Sequence, residues 1–111
     1  MNLTIITLKT FVKDIKRLHN KYKKISDDLK ELNQTLKENP KAGVELGRNC
    51  FKIRVENSST PTGKRGGFRV VYYYHDENSH QLYLMTMYAK NEIENVSDKR
   101  LLEILKESGI K

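Results

Sequence analysis

Cys50-Phe51-Lys52-Ile53-Arg54-Val55-Glu56 alternates strictly, with Phe51, Ile53 and Val55 on one side and Lys52, Arg54 and Glu56 on the other. Period-two alternation marks a strand with one face in a core. Here the other face is charged. Downstream, Phe68 to His75 and Gln81 to Ala89 are rich in Val, Tyr and Leu, which suit a pleated, half-buried surface. Asp76-Glu77-Asn78-Ser79-His80 supplies turn residues between them, so the two runs are expected to pair as a hairpin. Between the first strand and this hairpin, Asn57 to Gly67 gathers Ser, Thr, Pro and Gly around a Lys64-Arg65 tip, the chemistry of a mobile basic loop.

Working outward, residues 9 to 39 change to helical spacing. Phe11, Ile15, Leu18, Tyr22 and Ile25 recur at intervals of four and three, followed by Leu29, Leu32 and Leu36. Ser26 with Asp27 and Asp28 resembles an N-cap with first-turn acids, and Asn39-Pro40 is a stop, so a helical hairpin broken near Ser26 is expected. Its lysines and arginines, interspersed with Asp14, Asp28 and Glu31, read as a solvated face. Gly43 and Gly47 punctuate a loop, Ser97-Asp98 opens a short helix that ends near Ser108-Gly109, and Leu3, Ile5 and Ile6 can form an edge strand within residues 2 to 7. The expected order is strand, two helices, three strands, helix. This is an α+β fold in which helices pack on one face of a small antiparallel or mixed sheet of three to four strands.

The chain has 111 residues, 37% of them hydrophobic, with 21 Lys and Arg against 14 Asp and Glu for a net charge of +7. A single domain over residues 1–111 is expected from that length. One cysteine, Cys50, excludes an internal disulfide and fits a reducing, cytoplasmic setting. The most apolar run, Leu82 to Tyr88, is far shorter than the ~20 residues that span a bilayer, and the first residues lack signal-peptide organisation. The positive charge favours polyanions such as RNA, DNA, an acidic protein segment or anionic lipid without choosing among them, and with no spanning run no membrane partner is expected.

Several familiar sites fail on spacing. Gly63-Lys64 lacks the glycine five residues earlier, where Ser58 stands, and is followed by a strand rather than a helix, so it is not a phosphate loop. His19, His75 and His80 are scattered, and neither a metal nor any other cofactor is expected. Cys50 reads as a small buried strand residue, and Glu92 with Glu94 carries no acid/base signal. What remains is cationic. Lys52 and Arg54 share a strand face with Cα atoms about 7 Å apart, and neighbouring strands bring Lys64, Arg65, Arg69 and Lys90 to the same end of the sheet. Either Arg69 pairs with Glu56 while the others extend into water, or the group binds a polyanion such as an RNA phosphate. Tyr72, Tyr74 and Tyr88 can add stacking surfaces for bases, or serve as packing.

Asn39-Pro40, Cys50-Phe51-Lys52-Ile53-Arg54, the run Gly63-Lys64-Arg65-Gly66-Gly67-Phe68-Arg69-Val70-Val71-Tyr72-Tyr73, and Tyr88-Ala89-Lys90-Asn91-Glu92 together resemble the RelE superfamily of bacterial toxins, and within it the HigB-like branch. The resemblance covers nearly the whole chain. It implies a microbial ribonuclease-like fold and the toxin of a type II toxin-antitoxin system that cuts mRNA in the ribosomal A site without a metal. It also implies a cognate antitoxin, expected to contain a helix-turn-helix. Lys52 and Arg54 match the family's strand cations, Arg69 its Gly-aromatic-Arg arginine, and Lys90 the lysine near the end of its last strand. Lys64 and Arg65 match the branch's basic loop, and Tyr72 is a further candidate for RNA contact. Where the archetypal enzyme has an arginine and then a tail tyrosine, this chain has Asn91 and, roughly, Ser97. Tyr88, shared with the branch, is the phenol available instead, and sequence does not fix its direction relative to Lys52 and Arg54.

Metal-independent RNA cleavage needs a base for the ribose 2′-OH, positive charge on the phosphorane and an acid for the 5′-oxygen. The base is expected to be Lys52 or Lys90, since a lysine among other cations yields its proton more readily. Arg54 and Arg69 would hold the phosphate. The products would be a 2′,3′-cyclic phosphate and a 5′-hydroxyl. Two other readings stand beside this one: a ParE-like toxin that binds gyrase, against which the retained Lys52, Arg54 and Arg69 argue, and a non-catalytic nucleic-acid-binding module.

Overall fold

The computed structural model describes residues 3–60, 67–75, 80–93 and 95–110. The Lys64-Arg65 tip and residues 76–79 of the hairpin turn lie outside the described residues. In chain order the elements are β1 (Thr4–Thr7), α1 (Lys9–His19), α2 (Ile25–Glu38), β2 (Val44–Gly47), β3 (Cys50–Val55), β4 (Phe68–Tyr74), β5 (Gln81–Ala89) and α3 (Asp98–Glu107). The strands form one sheet in the order β1-β5-β4-β3-β2. Only β1 runs parallel to its neighbour. The fold is therefore α+β on a mixed sheet, with two N-terminal helices and a short C-terminal one, as expected.

The sheet has five strands rather than three to four. The additional strand, β2, stands where a loop was expected; all four of its residues are exposed, so no burial alternation marks it. Its pairing with β3 follows a tight turn in which Gly47, Arg48 and Asn49 all have positive φ, at 99°, 54° and 65°. Positive φ at both central residues of a two-residue loop is the geometry that matches strand twist.

Helices also cover both faces of the sheet, not one. Phe11 and Leu18 of α1 and Ile25, Leu32 and Leu36 of α2 pack with Phe51, Val55, Phe68, Val70, Tyr72 and Tyr74. On the opposite face Leu101, Ile104 and Leu105 of α3 pack with Cys50, Val71, Tyr73 and Met85. The central strands are apolar on both faces, and two apolar faces require two covers. No helix among the described residues is long and apolar enough to cross a membrane.

The first helical run breaks after His19, and α2 begins at Ile25, so Ser26 lies inside its first turn rather than capping it. Asp28 is buried and accepts from the backbone N–H of Ser58 at 3.2 and 3.3 Å. Asp14 does the same for α1: its Oδ2 accepts from the Thr86 hydroxyl at 2.6 Å and the Met87 N–H at 3.0 Å. β1 pairs with β5 only over Gln81–Leu84, and beyond it carboxylates take the place of strand carbonyls along that edge. Glu92 Oε1 accepts from the Ala89 N–H at 2.9 Å, and Arg17 pairs with both Asp14 and Glu92. Two acids that sequence reading assigned to a solvated face thus fasten the helices to the sheet and its loop.

Candidate active site

Register in the antiparallel part of the sheet places Arg54 opposite Arg69 and Arg69 opposite Tyr88. Directly opposed residues have Cα atoms about 4.5–5.5 Å apart, so the three side chains form a row across β3, β4 and β5. Lys52 lies one step along on the same face, opposite Val71. Tyr88 joins this face because of a bulge: Val71 pairs with Thr86 and Tyr72 with Leu84, which leaves Met85 as an extra residue. Leu82 and Leu84 face α1 and α2, and after the bulge so do Met87 and Ala89. The parity of the strand has flipped, and Tyr88 turns toward the arginines.

Helix α3 covers only the end of this face formed by Cys50, Val71, Tyr73 and Met85. The arginine row is left open, with Arg54 exposed and Lys52 and Arg69 half-buried. Lys90 follows two residues after Tyr88 and is exposed, its N–H bonded to the Gly67 carbonyl at 3.1 Å. Four of the sequence-predicted cations are therefore gathered at one end of the sheet together with Tyr88. Lys64 and Arg65 lie outside the described residues. Tyr72 is withdrawn as an RNA contact: it is fully buried on the opposite face, stacked on Phe51 at 5.2 Å, and its hydroxyl accepts the Gly43 N–H at 3.0 Å. No face of its ring is available to a base.

The row concentrates positive charge. Among the described residues no carboxylate lies within ion-pair distance of Arg54 or Arg69, and of the two alternatives the Arg69–Glu56 pair does not form. Arg69 Nη1 donates to the carbonyl of Phe68 at 3.2 Å. Burial and the neighbouring Arg54 lower the Arg69 pKa, while Tyr88 opposes them; a guanidinium still keeps its charge under such shifts. Burial raises the Tyr88 phenol above its ordinary value, against the pull of Arg69. Its hydroxyl is buried without a hydrogen-bond partner, a condition that costs about 1–3 kcal/mol.

Lys52 Nζ donates to Asn95 Oδ1 at 2.9 Å. Asn95 belongs to the segment between β5 and α3, and sequence reasoning missed it because a single loop asparagine has no distinguishing spacing. Beside the row lies a cleft of about 260 Å³ lined by Leu46, Lys52, Val71, Tyr88, Asn95, Val96 and Asp98. Its α3 border is ordered by the Ser97 cap, whose Oγ accepts the Arg100 N–H at 3.1 Å. Among the described residues, two guanidiniums without carboxylate partners, an amine and a phenol without a hydrogen-bond partner form an arrangement able to hold a phosphodiester and supply it with a proton.

A family model described as the RelE toxin of the RelE/RelB toxin-antitoxin system matches residues 7–109. Among solved structures, the chain is similar to a free-state double mutant of the E. coli toxin RelE. The TM-score is 0.59 and the identity 16%, over 96% of this chain and 98% of that one; at that identity the likeness is one of fold. The family match takes in every element from α1 to α3 and all five residues of the cationic end, and on that ground the chain belongs to the RelE toxin family, as the toxin of a toxin-antitoxin pair with a cognate antitoxin.

Proposed function

We propose that this toxin is a metal-independent endoribonuclease that cuts mRNA in the ribosomal A site and so arrests translation in the cytoplasm. The observation that carries the reading is the row Arg54–Arg69–Tyr88, in which, among the described residues, two guanidiniums lack carboxylate partners and the buried hydroxyl lacks any. Arg54 and Arg69 grip the scissile phosphate through paired N–H donors. Lys52 or Lys90, acting as the neutral amine, takes the proton from the ribose 2′-OH to become an ammonium as the 2′-oxygen attacks phosphorus. Tyr88, held protonated by burial, gives its proton to the departing 5′-oxygen, and Arg69 stabilises the phenolate that forms. The products are a 2′,3′-cyclic phosphate and a 5′-hydroxyl. The ribosome supplies the in-line geometry that an open sheet face does not impose on single-stranded RNA. Tyr88 in this role also supports placement in the HigB-like branch, whose antitoxin would carry a helix-turn-helix.

The test is to induce the toxin and map new 5′-hydroxyl ends in cells with and without ongoing translation. Cuts confined to translated transcripts are expected. Growth arrest with intact mRNA would overturn the reading.

A further inference from the structure

The cleft beside the arginine row is not built for a second phosphate. Among its described lining residues Lys52 is the one cation, and its amine already donates to Asn95 Oδ1 at 2.9 Å. Asp98 contributes a carboxylate that repels an anion. Three walls are aliphatic, from Leu46, Val71 and Val96. Apolar walls with a few convergent polar groups suit a planar ring that is apolar on its faces and polar at its edges, which describes an unstacked nucleobase. Tyr88 belongs both to the row and to the cleft lining, so a base seated there comes from a nucleotide adjoining the phosphate that Arg54 and Arg69 hold.

Resting on the ribonuclease reading above, we infer that this cleft receives one nucleobase of the mRNA and favours bases with an exocyclic amine over uracil. The Asp98 carboxylate offers acceptors, and Asn95 Oδ1, though bonded to Lys52, is a second acceptor. Adenine, cytosine and guanine each present an amine to such a rim. Uracil flanks its single edge N–H with two carbonyls, which set acceptor against acceptor. Sites built on hydrogen bonds reject ligands that leave them unpaired.

The experiment maps cleavage sites made by the wild-type toxin, Asp98→Asn and Asp98→Ala in translating cells, with base frequencies normalised to the transcriptome. The readout is the base distribution at each position around the cut, which does not depend on total rate. Wild type should show uracil depleted about tenfold at one position next to the cut. Asp98→Asn, whose amide donates as well as accepts, should admit uracil there, and Asp98→Ala should flatten the preference. Asp98 is exposed, and a melting curve on each variant confirms folding. Cleavage by wild type without uracil depletion, or the same distribution in all three proteins, overturns the inference and leaves the ribonuclease reading standing. No cleavage by wild type overturns both.

Discussion

Tyr88 is 3% exposed, and its buried hydroxyl has no hydrogen-bond partner among the described residues. Deleting a buried unsatisfied group is neutral to stabilising. Tyr88→Phe should therefore leave the melting temperature unchanged or raise it, while slowing RNA cleavage by about 10²–10⁴-fold, the range of a general acid. A variant that melts lower and cleaves normally would assign Tyr88 to packing. Arg69→Ala follows the same logic. The charge of Arg54 lowers its pKa, so removing it relieves repulsion while, on the proposed reading, taking away a phosphate ligand. Loss of toxicity at undiminished melting temperature is expected, and a large fall in melting temperature would contradict it. The phenol shifts also set a pH window. Tyr72 and Tyr88 both have folded-state pKa values raised by burial above the ordinary value of 10.0. Below that value both folded and unfolded chains are protonated, and the two groups give stability no pH dependence. As pH rises past 10 the unfolded chain releases its protons first, and stability falls until the folded-state values are passed. Melting curves from pH 8 to 11 on wild type and Tyr88→Phe should diverge above pH 10, with the variant losing less.

Each N-terminal helix carries an acid inside its apolar stripe: Phe11, Asp14, Ile15, Leu18 in α1, and Ile25, Asp28, Leu29, Leu32 in α2. Replacing Asp14 by Ala strands the Met87 N–H and the Thr86 hydroxyl, and should cost about 2–3 kcal/mol in a urea unfolding measurement. Restoration by Asn, which keeps an acceptor, should be partial. Gly43 is constrained differently. A Cβ there would meet the Lys52 carbonyl oxygen at 2.8 Å and the Tyr72 hydroxyl at 3.1 Å, so Gly43→Ala should destabilise by about 1–3 kcal/mol, read in the same way. These elements also show what the sequence made legible. Stripe spacing located α1 and α2, and i, i+3, i+4, i+7 spacing already placed Asp14 and Asp28 on the buried side, although charge led them to be read as solvated. Strand parity likewise put Arg69 and Tyr72, three residues apart, on opposite faces, so the error over Tyr72 was avoidable. The position of Tyr88 was not legible, because it depends on an extra residue at Met85 that no local pattern announces. Nor was β2, an exposed edge strand turned by a non-glycine residue, Arg48, at φ 54°.

At the scale of the whole molecule, charge and cover decide where RNA can bind. The net charge of +7 draws the toxin toward polyanions of any sequence, and among the described residues one end of the α3 face is both open and lined with cations that lack carboxylates. Each phosphate neutralised by a side chain adds about −0.7 to the slope of log affinity against log salt for single-stranded RNA. Arg54→Ala should therefore make that slope shallower by about 0.7, measured by fluorescence anisotropy, whereas Lys30→Ala on exposed α2 should leave it nearly unchanged. Equal effects from the two variants would mean diffuse attraction rather than a site. On the proposed reading, an antitoxin that laid carboxylates over the row would neutralise the toxin. The most direct measurement of the row's role is single-turnover cleavage of mRNA programmed in the ribosomal A site by purified wild type, Arg69→Ala and Tyr88→Phe, alongside their melting temperatures. The expected result is a 2′,3′-cyclic phosphate product from wild type, and variants that are folded, at least as stable, and slower by about two orders of magnitude or more. Undiminished cleavage by folded Arg69→Ala and Tyr88→Phe would contradict it.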